Sequence, residues 1–208
     1  MRILSVSLLS LLFLTGVPTL GLCQNPVRAR TEAGKDVFLY PDGKWKYVEE
    51  NKAPSSERKN HDKPGTSNTP FKTARGSFEI WVNEGKWIRT ADEPGKMTFS
   101  LKTGDAYVLV ISEEIAITTL ALKEMAIENA RKASSDFLLV VEESRTVNGR
   151  EVTSMKFNST IKSMQFTYYA YYYGGKEGTI QVLCYTGQNL FAKYEREFTE
   201  FLDGLTIQ

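Results

Sequence analysis

Residues Met164 to Tyr185 read MQFTYYAYYYGGKEGTIQVLCY. Met164 to Tyr173 and Thr179 to Tyr185 are β-rich and flank the turn Gly174-Gly175-Lys176-Glu177-Gly178, so the segment predicts two antiparallel strands. Successive side chains of a strand point to opposite faces, which puts Tyr168, Ala170 and Tyr172 on one side and Tyr169, Tyr171 and Tyr173 on the other. A sheet with one solvated face needs only one apolar side, and here both are aromatic. Two readings of that excess are open. Tyrosine favours strands, and its hydroxyl reaches water at a sheet rim. Alternatively, one face is exposed as an aromatic platform for a protein, peptidoglycan or another ligand, because tyrosine and tryptophan are enriched at binding surfaces.

The flanking sequence continues the pattern. Upstream, Phe137 to Val141 and Val152 to Phe157 have strand character around Val147-Asn148-Gly149, whose Asn-Gly pair signals a tight hairpin. Further back, Phe78 to Val82 and Trp87 to Arg89 flank the turn Asn83 to Lys86, and Met97 to Leu101 and Tyr107 to Ile111 add two more short strands. Between these groups, Thr118 to Ala133 carries Leu122, Met125, Ala126, Asn129, Ala130 and Ala133 at helical spacing, with charges between them. At the end of the chain, Asn189 can cap a helix with the stripe Leu190, Tyr194, Phe198, Phe201, Leu202 and Leu205, stopped by Gly204. Strands in a meander with two helices packed on them predict an α+β domain over 74–208.

This order resembles the Mog1/PsbP-like fold. The carriers are Phe78-Glu79-Ile80 with Gly85-Lys86-Trp87, the strand Tyr168 to Tyr173 before Gly174-Gly175, and the end from Tyr185-Thr186-Gly187 to Phe198-Thr199-Glu200-Phe201-Leu202. The resemblance covers most of residues 74–208 and implies an antiparallel sheet sandwiched with two main helices. It also implies a mostly non-catalytic setting, since proteins of that fold include photosystem subunits, a nuclear-transport accessory factor and bacterial envelope lipoproteins.

The amino-terminal third reads differently. Arg2, the apolar run Ile3 to Leu14, and then Gly16, Pro18, Gly21 and Leu22-Cys23 form the three regions of a secretory signal over 1–23. The run is shorter than the roughly 20 apolar residues of a membrane-spanning helix. The protein is therefore expected to be exported, periplasmic or extracellular. Lipid anchoring through Cys23 is the second reading, against which bulky Leu22 occupies a position where a lipoprotein box carries a small residue. Thr31 to Val48 predicts a separate β-hairpin turning at Pro41-Asp42-Gly43, with Trp45 and Tyr47 as part of an aromatic docking surface. Its Asp-Gly-x-Trp-x-Tyr pattern resembles a short hairpin of exported bacterial proteins. Residues 49–73, rich in Lys, Ser, Asn and Pro, read as a flexible linker containing the sole histidine, His61.

Composition narrows the chemistry. In the 208 residues, 41% are hydrophobic and 25% charged, as in a soluble globular protein, and the formal charge of +1 lacks the basic excess of a nucleic-acid binder. One histidine and two cysteines exclude most zinc and other Cys/His sites and leave no nucleophile with a positioned base, Asp92-Glu93 and Asp36 show no calcium-loop ladder, and the turn after Tyr173 lacks the Gly-Lys-Ser/Thr ending of a phosphate loop. Cys184, in an apolar stretch, reads as a small buried hydrophobe. Glu113-Glu114 and Glu142-Glu143 are neighbours in sequence and so point to opposite faces of a strand; for the first pair, charge near a helix N-terminus is the expected role. No catalytic residue, metal or cofactor is expected. The expectation is a non-enzymatic exported binding or accessory protein of the bacterial envelope, contacting a protein or envelope component through Tyr169, Tyr171 and Tyr173, with Trp45 and Tyr47 as further contacts. The alternative is a small-ligand carrier or hydrolase-type enzyme whose carboxylates and tyrosines come from distant segments.

Overall fold

A computed structural model describes residues 27–31, 36–39, 43–47 and 60–208, which divide between a unit ending at Ser55 and a unit beginning at Ser56. In the first unit, Asp36–Leu39 pairs antiparallel with Trp45–Tyr47 across a turn in which Gly43 has φ +79°, a conformation that glycine tolerates without a Cβ clash. A further strand, Val27–Arg30, extends this to three: β1 (Val27–Arg30), β2 (Asp36–Leu39) and β3 (Trp45–Tyr47), in that order. Val37 is buried. The expected leader at 1–23 and the linker residues 49–59 lie outside the described residues.

The second unit begins earlier than composition predicts. Within the expected linker lie β4 (Asn60–His61) and β5 (Thr69–Lys72), so residues 60–72 belong to the folded unit. Edge strands need few apolar side chains, and the polar ones here are engaged. The backbone N–H of Lys63 donates to Asn148 Oδ1 at 2.7 Å, the Lys63 ammonium lies 4.3 Å from the Trp81 ring centre, and Phe71 packs edge-on against Phe99.

The chain then runs through β6 (Phe78–Val82), β7 (Trp87–Glu93), β8 (Lys96–Leu101), β9 (Ala106–Glu113), α1 (Thr119–Ala133), β10 (Leu138–Val147), β11 (Arg150–Ile161), β12 (Met164–Gly175), β13 (Gly178–Gly187), a short 3-10 turn (Gln188–Leu190), α2 (Phe191–Leu202) and β14 (Leu205–Ile207). An open eight-stranded sheet has the order β4-β10-β11-β12-β13-β9-β8-β7, antiparallel except where β4 joins β10. Two consecutive hairpins place β12 at its centre. A smaller sheet, β14-β6-β5, forms separately. The turn Asn83 to Lys86 therefore hands the chain from one sheet to the other, where the sequence suggested neighbouring strands.

Each face of the large sheet is covered. On one side, α1 packs Leu122 against Met155, Phe157, Ala170 and Tyr172. On the other, α2 buries Tyr194, Phe198, Phe201 and Leu202 of the stripe read from the sequence and adds Phe191, while Leu190 falls in the 3-10 turn and Leu205 in β14; Trp87 and Phe99 lie edge-on to Phe201 at 5.1 and 5.2 Å. Both sides of β12 are apolar because its middle, Tyr169 to Tyr173, is buried on both, while Phe166 and Tyr168 are half-buried. Helix starts differ from expectation in detail. Thr118 caps α1 by accepting from the Ala121 N–H, whereas Asn189 falls in the 3-10 turn and α2 has no side-chain cap. Glu113 ends β9, paired with Arg75 at 2.6 Å, and so does not serve the α1 N-terminus.

Glycine is required where backbones meet. A Cβ on Gly204 would stand 2.1 Å from the Trp81 carbonyl oxygen, and one on Gly174 would stand 2.5 Å from that of Ile117. Gly174 thus lets β12 touch the start of α1, where Thr119 Oγ1 both accepts from the Gly174 N–H (3.0 Å) and donates to its carbonyl (3.2 Å).

Candidate functional site

The odd-numbered tyrosines expected to form a platform are interior. Tyr171 is 0% exposed and Tyr169 and Tyr173 are buried beside α2 and the smaller sheet, so the expected platform is corrected on this face. All three hydroxyls are engaged. Arg145 donates to Tyr169 and, at 3.1 Å, to Tyr171; Tyr171 donates to Asp203 Oδ1 at 2.9 Å; Tyr173 donates to Glu177 Oε2 at 2.6 Å. His61, expected in a solvated linker, is brought by β4 to within 3.5 Å of the buried Asp203 carboxylate. Asn148, held at φ 47° in the β10–β11 turn, donates to the carbonyls of Asp203 and Leu205 at 2.9 and 2.8 Å. A buried polar network is stable only when its members are satisfied, and this one ties β4, β10, β12 and the end of α2 together. Burial, with the Asp203 charge as a second cause, holds the Tyr171 phenol well above its ordinary value.

The even-numbered face carries a different arrangement. Leu139, Phe157, Tyr168, Tyr185 and Tyr107 stand directly opposite one another across β10, β11, β12, β13 and β9. Directly opposed residues of an antiparallel sheet are in side-chain contact, so the aromatics form one continuous row. Phe157 stacks on Tyr168 at 4.7 Å, Tyr168 on Tyr185 at 5.5 Å, and Tyr185 on Tyr107 at 5.5 Å, with Phe166 edge-on to Tyr185. α1 covers the Phe157 end only. Burial grades outward from there to Tyr107, which is 38% exposed. The hydroxyls of Tyr107, Tyr168, Tyr172 and Tyr185 make no hydrogen bond to another described residue. Partial burial raises the phenol pKa values of Tyr168 and Tyr185, each raised further by its neighbouring tyrosine.

Where the row passes under α1, the helix side chains that face the sheet are small. Ala126, Ala130 and Ala133 present only methyl groups, leaving a groove of about 270 Å³ floored by Phe157, Tyr168, Tyr172 and Leu183. A wider cleft of about 520 Å³ lies by the β11–β12 turn, between Met164, Phe166 and Asn189, and its walls are mostly exposed turn residues.

The other residues singled out from the sequence fall outside this row. Trp45 is 54% exposed on β3, and the Tyr47 side chain lies outside the described residues. Glu142 pairs with Lys123 of α1 and Glu143 with Arg145, each at 2.6 Å, so the two carboxylates do not converge on a common point. Cys184 is fully buried with its thiol pKa pushed up by that burial, as a structural cysteine's is. Among the described residues no group of three or more His, Cys, Asp or Glu is placed to hold a metal ion, and no helix is long and apolar enough to cross a membrane.

No protein-family model and no curated protein matches the sequence. Solved structures do match the fold. Cyanobacterial PsbP from Synechocystis sp. PCC 6803 is 15% identical with a TM-score of 0.52, over 69% of this chain and 94% of that one. LpqN, involved in cell envelope biogenesis of Mycobacterium tuberculosis, is 11% identical with a TM-score of 0.48, over 66% and 88%. The Ran-binding protein Mog1p of Saccharomyces cerevisiae is 7% identical with a TM-score of 0.45, over 68% and 96%. With its central antiparallel sheet, a helix on either face and the aromatic strand before the Gly-Gly turn, this chain has the Mog1/PsbP-like fold.

Proposed function

We propose that this protein is an exported, non-enzymatic accessory or binding protein of a bacterial envelope. In this reading it engages a protein partner through the exposed end of the aromatic row, Tyr168, Tyr185 and Tyr107, with Phe166 beside it. The carrying observation is the stacking of those three tyrosines in register with hydroxyls that no described residue engages. Rigid aromatic side chains with one polar end supply contact area at little conformational cost, as at interface hot spots. The row supersedes Tyr169, Tyr171 and Tyr173 as the contact surface, because buried side chains with satisfied hydroxyls have nothing to offer a partner. Export rests on the leader-like sequence of residues 1–23, and the non-enzymatic reading on the lack of any sequence constellation for catalysis together with Glu142 and Glu143 being engaged in separate ion pairs.

The test places a photo-crosslinking residue at Tyr107 and, as a control, at the buried position Tyr169. A discrete adduct from position 107 that disappears when Tyr185 is changed to Ser, in a variant shown to be folded by circular dichroism, is the expected result. An adduct that survives the Tyr185→Ser change at full yield would sink the proposal.

A further inference from the structure

We infer that the groove between α1 and the sheet is a binding site for a small uncharged molecule with a planar ring and a hydrogen-bond acceptor, held by the Tyr172 hydroxyl. Tyr172 is 1% exposed, yet its hydroxyl has no hydrogen-bond partner among the described residues. Among the described residues no side-chain oxygen or nitrogen that is sealed from solvent lacks a partner, so this hydroxyl opens onto the groove it lines. Buried hydroxyls in folded proteins are nearly always paired, and one left open at the floor of a cavity marks where a ligand atom or a water belongs.

The lining sets the ligand's chemistry. None of the groove's residues is charged: the floor is aromatic and aliphatic, the α1 wall is alanine, and the polar groups besides the tyrosines are Ser159, Asn129 and Gln181. Neither amide side chain makes a hydrogen bond to another described residue, so both are available at the mouth. An ion would lose its hydration there without a counter-charge, whereas a neutral ring gains stacking area and can accept from Tyr172. At about 270 Å³ the groove suits a molecule of one or two rings. This site adjoins the proposed partner surface and shares Tyr168 with it, but neither Tyr107 nor Tyr185 lines it.

Titrating the isotope-labelled full chain with benzamide, and separately with benzoate, tests the site by amide chemical shifts. Benzamide is expected to shift Ala130, Gln181 and Leu183 and their neighbours saturably, and benzoate to bind at least several-fold more weakly. Tyr172→Phe is expected to weaken benzamide about tenfold, the worth of one neutral hydrogen bond. Ala130→Leu fills the groove and is expected to abolish binding while the spectrum of α2 stays unchanged. Absence of saturable shifts, equal binding of benzoate, or undiminished affinity in Tyr172→Phe would each overturn the inference. Tyr107→Ser should leave benzamide binding intact, so failure of the partner surface and failure of the groove are read independently.

Discussion

Tyr169, Tyr171 and Tyr173 on one face of β12 have their hydroxyls tied to Arg145, Asp203 and Glu177, whereas Tyr168 and Tyr172 on the opposite face have theirs tied to no described residue. The covering helices differ in the same sense. α2 buries five large side chains, four of them aromatic, while α1 buries Leu122 alone and otherwise offers alanines and half-covered residues. One face is built for cohesion. The other is thin, which is what a surface that must admit a ligand or a partner requires, because such sites belong to the least stable parts of a fold.

The largest expected effect contrasts the two cores. Phe198→Ala, on the α2 side, should cost about 3–5 kcal/mol, and Leu122→Ala, on the α1 side, about 2–3 kcal/mol, because the thin layer can collapse around the vacancy. Denaturant unfolding measures both, and equal losses would erase the contrast. Next come the two hydroxyls. Tyr171→Phe removes a partner from the buried Asp203 carboxylate and should cost about 1–3 kcal/mol, while Tyr172→Phe removes a hydroxyl with no partner among the described residues and should change stability by about 0.5 kcal/mol or less. If the Tyr172 change proved the more costly, the description of the even face would be wrong.

Alkaline titration sharpens the same comparison without a mutation. Burial raises the phenol pKa values of both Tyr171 and Tyr172 above those of the unfolded chain. A group raised in this way contributes stability that is fully present below the unfolded value, near 10, and is lost as the pH climbs above it toward the folded value. Stability should therefore decline only above about pH 10. Phenolate absorbance should show Tyr171 and Tyr172 ionising together with loss of the near-ultraviolet circular dichroism, and their ionisation in the intact fold would contradict their burial. The smallest effect concerns the tether of α1. Lys123→Met breaks the ion pair to Glu142, whose carboxylate is partly exposed, and should cost about 0.2–1 kcal/mol. Amide exchange in α1 should quicken while that in α2 is unchanged.

Legibility from sequence followed the range of the interaction. The hairpin between β12 and β13 was readable because glycines mark its turn, but its register was not: a turn over 174–178 sets Tyr173 against Thr179, whereas the structure pairs Tyr173 with Ile180 and so Tyr168 with Tyr185. The preceding turn was not marked. Lys162 and Ser163 adopt φ 49° and 66° there, a conformation in which glycine or asparagine is the usual signal, so the register that sets Phe157 against Tyr168 was hidden. The β13–β9 pairing spans about seventy residues with no local signature, and it adds Tyr107 to the row. His61 and the strands around it have the composition of a linker because their neighbours are polar. Their place in the fold depends on pairing to β10 and β6, which composition does not encode.

By itself the sequence determined the α+β class, the two helices, the amphipathic stripe of α2 and the two-sided aromatic character of β12. These are matters of local period and turn chemistry, and a chain carries them wherever it folds. Only the tertiary structure decided which tyrosines are exposed. That depends on where α1 ends its cover and which distant strand lies alongside β13, and both are settled by packing between segments far apart in the chain.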